Sequence, residues 1–139
     1  MLGRHVTQLQ GEAMADTRLI LLVLEVERLE ASLHFYRDQL GIALVQDKDH
    51  GGGDRWISGD HAALSWGDGG FLHFALYQSK GVVTRDVQLG FPVANLDEIH
   101  QRLKAAGVPV SHEPRKEPWG LTARYRDPDG NSVSLTERQ

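Results

Sequence analysis

The chain contains no cysteine, which removes disulfides, thiolate metal ligands and a cysteine nucleophile together. That suits a reducing compartment, and the cytoplasm is the expected location. Long apolar runs are also missing. The longest, Leu19 to Leu24, is far short of the roughly 20 residues that span a bilayer, so no membrane partner is expected. Residues 1–17 lack the apolar centre of a secretory signal and read as a flexible N-terminal tail. Positive charge is scarce: 15 Lys and Arg stand against 19 Asp and Glu, a formal net charge of −4. Because the basic residues are scattered rather than striped, nucleic acid is not an expected partner either. No Gly-x-Ser-x-Gly elbow, P-loop or dinucleotide fingerprint occurs. Gly51–Gly53 runs into Asp54, which opposes an anion, so this stretch reads as a rim loop.

What is present is enough for one domain of 139 residues. The residues from 18 to 139 fall into two modules, about 18–78 and 85–139. Leu19–Val26 is apolar on both faces until Glu25, as in a strand covered on both sides. Leu29, Leu33, Tyr36 and Leu40 then share one helical face, and Gly41 ends that helix. Strands are expected over Ile42–Gln46, Arg55–Ser58, Ala62–Trp66 and Phe71–Tyr77. In the second half Val87, Leu89, Phe91 and Val93 alternate with polar or small residues. A helix follows with Asn95 as N-cap, Glu98 in capping-box register, the stripe Leu96, Ile99, Leu103 and Ala106, and the stop Gly107. The strand-helix pattern recurs at offsets of 67 (Val26 to Val93) and 66 (Gly41 to Gly107), which favours duplication. The chain closes on a hairpin in which Pro128, Asp129 and Gly130 make the turn. On its second strand Val133 and Leu135 point to one face and Ser132, Ser134 and Thr136 to the other; on its first, Ala123 and Tyr125 oppose Thr122, Arg124 and Arg126, and neither face of the hairpin is wholly apolar.

The segments Val26–Gly41 and Asp127–Asn131 give the chain its family likeness: it resembles the vicinal oxygen chelate superfamily of glyoxalases, extradiol dioxygenases and bleomycin-resistance proteins. The resemblance implies an α+β fold of two β-α-β-β-β modules forming a cupped mixed sheet, usually in a homodimer. It also implies a divalent metal held by His or Glu at four positions, which fall here on Leu21, Ala75, Gln88 and Ser134. Leucine and alanine cannot coordinate, and a neutral amide or hydroxyl is a poor donor to Zn²⁺, Ni²⁺ or Fe²⁺. No metal and no other cofactor is therefore expected.

Seven histidines are present, without the His-x-x-x-His spacing that puts two ligands on one metal. His34, His50, His61, His100 and His112 read as surface residues, and His73 as a pocket or core residue beside Ala75. By the family geometry the cup presents Leu21, His73, Gln88, Thr122, Arg124 and Ser134, an apolar floor with hydrogen-bonding groups and one cation. Arg124 is either an anion receptor or, instead, a salt-bridged or solvent-exposed rim residue. Trp119, ahead of Gly120, recurs in the bleomycin-resistance branch and implies an aromatic beside a groove for a flat ligand. Trp56 and Trp66 read as strand core residues.

Catalytic residues are not assignable from this pattern. The reading is a metal-free protein, acting as a homodimer, that binds or sequesters a small organic molecule. The alternative is a lyase, isomerase or dioxygenase of the same superfamily, using a non-standard metal site or metal-free acid/base chemistry.

Overall fold

A computed structural model describes residues 17–47, 61–67 and 72–138. Residues 1–16 of the expected 1–17 tail, the expected loop His50–Asp54, the expected strand Arg55–Ser58 and Trp56 all lie outside them. The first module runs β1 (Leu21–Val26), α1 (Leu29–Leu33), a π-helical turn (His34–Gln39), β2 (Val45–Asp47), β3 (His61–Trp66) and β4 (Leu72–Gln78). The second runs β5 (Gln88–Pro92), α2 (Leu96–Ala105), β6 (Val110–Glu117), β7 (Gly120–Arg126) and β8 (Ser132–Glu137). Each makes a four-stranded mixed sheet, ordered β1-β4-β3-β2 and β5-β8-β7-β6, with the first strand of the module parallel to the last. The two topologies are the same, as duplication requires.

The first helix departs from the spacing. Only Leu29–Leu33 is α-helical, and the chain then widens so that Leu40 N bonds Phe35 O at 3.0 Å, five residues back. Phe35 and Tyr36 are both buried, at 3% and 0% exposure. A wider turn reduces the angle between adjacent side chains, which lets two neighbouring rings face inward together. Gly41 still ends the element, at φ 85°. The next strand starts at Val45 rather than Ile42, because the Ile42 and Leu44 amides bond Tyr36 O and Ile42 O instead of a neighbouring strand.

Both helices are capped from the far end of their own sheet. Gln78, the last residue of β4, accepts from Leu29 N at 2.9 Å and donates to Glu27 O at 2.8 Å. Glu137, ending β8, accepts from Leu96 N at 2.7 Å, and the Asn95 side chain accepts from Glu98 N at 3.1 Å as the capping pattern requires.

The modules join through their helix-bearing faces. Phe91 of β5 lies 6.3 Å from Phe74, 6.3 Å from Trp66 and 6.4 Å from Tyr36 (ring centroids), so β5 sits over the inner face of the first sheet rather than beside its edge. The Asp127–Asn131 loop fastens this seam, and the local backbone hydrogen bonds of the turn, which its chemistry assigns to Asp129, go to Asp127 instead. The Asp127 carboxylate accepts from Asp129 N, Asn131 N, Asn131 Nδ2 and, at 2.6 Å, the Tyr36 hydroxyl of the first module. The Asp129 carboxylate reaches across instead to Glu27 N. Arg102 of α2 donates twice to Gln39 O, at 3.1 and 2.7 Å. In this way α2 also holds the end of the π-helical turn.

Candidate functional site

Because the helices lie between the sheets, the opposite face of each sheet carries no helix among the described residues. On the first sheet the open face carries Leu21, Val23 and Glu25 of β1. Beside them stand His73, Ala75 and Tyr77 of β4, then Ser65, Ala63 and His61 of β3. Leu21 is the direct neighbour of His73, and Ser65 Oγ meets His73 Nδ1 at 2.9 Å. Four residues along, the His61 ring stacks on Tyr77 with centroids 4.8 Å apart. Burial holds the Tyr77 phenol above its ordinary pKa, so at neutral pH it remains a donor.

On the second sheet Gln88 stands beside Ser132, Gly90 beside Ser134 and Pro92 beside Thr136. Arg124 and Thr122 of β7 lie across from Ser134 and Thr136. Arg124 Nε donates to Ser134 Oγ at 3.3 Å, and the Thr122 and Thr136 hydroxyls are 3.4 Å apart. Among the described residues Arg124 has no carboxylate within ion-pair distance and is exposed, which removes the salt bridge and leaves the anion receptor and the solvent-exposed rim position as its two readings.

The structure therefore groups Leu21 with His73, and Gln88, Thr122, Arg124 and Ser134 with one another. It does not bring the two groups together within one chain, because both faces point away from the seam. Trp119 lies on the turn between β6 and β7, 63% exposed, with no ring against it among the described residues.

The four positions where the family geometry puts metal ligands occupy equivalent places. The neighbour of Leu21 is His73, two residues before Ala75; the neighbour of Gln88 is Ser132, two residues before Ser134. Their donor set is one neutral amide and one hydroxyl, which does not fit a divalent cation. Among the described residues no three His, Asp or Glu side chains gather closely enough to hold an ion.

Two histidines are not surface residues. His61 is 7% exposed. His100 is 3% exposed, with Nδ1 2.7 Å from the Tyr125 hydroxyl and Nε2 2.8 Å from Glu113. The signal was available, since His100 follows Leu96 by four and precedes Leu103 by three, on the apolar stripe itself. Burial, with the Glu113 charge second, pushes the Tyr125 phenol up to about 12.

Gly120, singled out beside Trp119, has φ 142°, and a Cβ there would come within 2.5 Å of Glu137 O. Its role is close approach to β8. Trp66 is not core: it is 37% exposed, at a cavity of about 640 Å³ between the modules that none of the seven expected site residues lines.

This architecture, with its helices, mixed sheets and open faces, defines a class. Residues 18–135 match the Glyoxalase/Bleomycin resistance protein/Dioxygenase superfamily, and the chain belongs to it. Its α+β fold of two β-α-β-β-β modules is the cupped mixed-sheet fold of that family. Among solved structures it is similar to TnmS3, an antibiotic binding protein from Streptomyces sp. CB03234. The two are 25% identical over 91% of this chain and 99% of that one, with a TM-score of 0.62. A glyoxalase/dioxygenase from Nostoc punctiforme is 18% identical over 91% and 97%, with a TM-score of 0.65. Lactoylglutathione lyase from Agrobacterium tumefaciens is 21% identical over 89% and 96%, with a TM-score of 0.58. No curated protein matches the chain.

Proposed function

We propose that the protein is a metal-free binder or sequestering protein for a small organic molecule, working as a homodimer in the cytoplasm. One observation carries this reading: Leu21, Ala75, Gln88 and Ser134 stand where a metal would be gripped, while Arg124 beside them offers a guanidinium that no carboxylate neutralises among the described residues. Such a surface holds a guest by contact and hydrogen bonding and does not polarise it. An antibiotic-binding relative supports the same reading.

A second copy completes the site. The open face with Leu21 and His73 in one copy faces the open face with Gln88, Thr122, Arg124 and Ser134 in the other. Strands β1 and β5 each end their sheets, so among the described residues each has one edge free of a sheet partner, and Leu19, Ile20 and Leu21 are 61%, 61% and 42% exposed along the first. Covering that apolar edge is the driving force for pairing. Arg124 selects a carboxylate, phosphate or enolate on the guest. Trp119 stands at the rim of the cleft, for a flat guest.

The test combines light scattering for mass, elemental analysis for metal, and titration of tryptophan fluorescence with a panel of drugs and aromatic acids. The expected result is a dimer, no stoichiometric metal and saturable binding of an anionic aromatic. Arg124→Ala should weaken that binding by about 2 kcal/mol, roughly thirtyfold. A stoichiometric divalent ion in the purified protein would sink the proposal, as would unchanged binding in Arg124→Ala.

The Ser65–His73 hydrogen bond favours a second reading, metal-free acid/base catalysis by a lyase or isomerase. It orients an imidazole whose Nε2 has no protein partner among the described residues. Turnover of a bound panel member that His73→Ala abolishes, with binding retained, would select it over simple sequestration.

A further inference from the structure

Helix α1 and its π-helical extension cover only one end of the inner face of the first sheet. At that end Leu24, Val26, Ala62 and Leu76 are fully buried. At the other end Leu22, Leu64 and Leu72 are only partly covered, and Trp66 remains 37% exposed. These residues face Phe91 of β5 and the Leu40–Ala43 segment that leaves the π-helical turn, across a cavity of about 640 Å³.

Protein interiors are close-packed, with few voids larger than a water molecule. An apolar void also gives water too few partners to stay. The volume falls in the range of about 300–1,000 Å³ typical of small-molecule sites. Among the described residues no charged side chain is in the lining, so that lining disfavours ions, including the anion that suits Arg124. Its aromatic wall is ordered: Phe74 stacks on the indole of Trp66 at 5.7 Å and 18°, and Phe91 closes on both rings from 6.3 Å. The part of the indole left exposed lines the cavity.

We propose that this inter-module cavity is a second binding site, independent of the open faces, for a neutral and flat apolar molecule that stacks against Trp66 and Phe91.

The test uses a neutral N-phenylnaphthylamine dye as probe, on the full chain. Of the three tryptophans, Trp56 and Trp119 are changed to phenylalanine so that Trp66 alone reports. The expected result is saturable binding of one dye per chain, with Trp66 emission quenched in step with dye occupancy. Leu22→Phe in the floor and Ala43→Phe at the mouth should each weaken the dye about tenfold or more, and naphthoate should bind at least about tenfold more weakly than the dye. Absence of saturable binding would overturn the proposal, and so would Trp66 emission that saturating dye leaves unchanged. That second measurement needs neither filled variant to fold. Folded Leu22→Phe and Ala43→Phe proteins that bind the dye like the parent, or naphthoate that binds as tightly as the dye, would overturn it too.

Discussion

Removing a single oxygen tests how the modules are joined. In Tyr36→Phe the ring remains, with its edge contacts to Phe35 at 4.8 Å and Phe74 at 5.9 Å, so the packing term is conserved. What disappears is the hydrogen bond of 2.6 Å to Asp127. Asp127 is 4% exposed and Tyr36 fully buried, so water does not replace the lost donor. A hydrogen bond to a buried charged group contributes about 1.5–3 kcal/mol. The carboxylate keeps its three other donors, which puts the loss near the middle, about 2 kcal/mol. For a chain of this length that corresponds to a fall in Tm of roughly 6–8 °C. Urea unfolding should show the midpoint lowered with the slope unchanged. A double-mutant cycle with Asp127→Asn should return a coupling of at least about 1 kcal/mol between the two positions. A Tyr36→Phe protein that melts within about 1 °C of the parent would refute the reasoning, because the loop amides alone would then satisfy Asp127.

Three further outcomes follow from the geometry. Gly120→Ala should destabilise by about 2 kcal/mol or more in urea titration, since φ 142° and the 2.5 Å approach to Glu137 O leave its Cβ no room; unaltered stability would mean that β8 shifts freely. Asn95→Ala should cost about 1 kcal/mol, because the Glu98 amide loses its acceptor, and a Tm equal to the parent's would remove the cap from the account. Stability should also fall above about pH 10. Tyr36 and Tyr125 are held above the ordinary tyrosine value, chiefly by burial and then by Asp127 and Glu113 respectively. Their folded pKa values exceed their unfolded ones, so the contribution is complete below pH 10 and is lost as pH rises, for Tyr125 through about 12. Tyrosinate absorbance titrating with an ordinary midpoint in the folded protein would contradict this.

Much of the fold can be read from spacing. The run Leu29, Leu33, Tyr36 places a helix, Gly41 and Gly107 stop two of them at φ 85° and 81°, and the alternation around Pro128–Gly130 separates the two faces of each strand of the last hairpin, which the register then joins into one apolar and one polar face. Those signals are local, and local chemistry produces the outcome. The π-helical widening is different, because burying both Phe35 and Tyr36 depends on a partner sheet that periodicity does not contain. The same limit hides Gln78 and Glu137 as helix caps, since each acts on a residue 49 or 41 positions away. Of the candidate site, the face assignments were legible, including the neighbours Leu21 and His73. That the two faces turn away from each other was not, because the decision is made by Phe91 docking on Phe74 and Trp66 across the seam. Nor was the cavity, which exists because helix and sheet differ in extent.

The Asp127 carboxylate on Tyr36 and the Arg102 guanidinium on Gln39 O rivet the halves of the chain back to back. Fastened in this way, the outward faces of the two modules are held apart within one chain. In the proposed dimer, tightening around a guest held between the outward faces comes from sliding one copy against another, so occupancy should be felt as a change in how firmly two copies cling together.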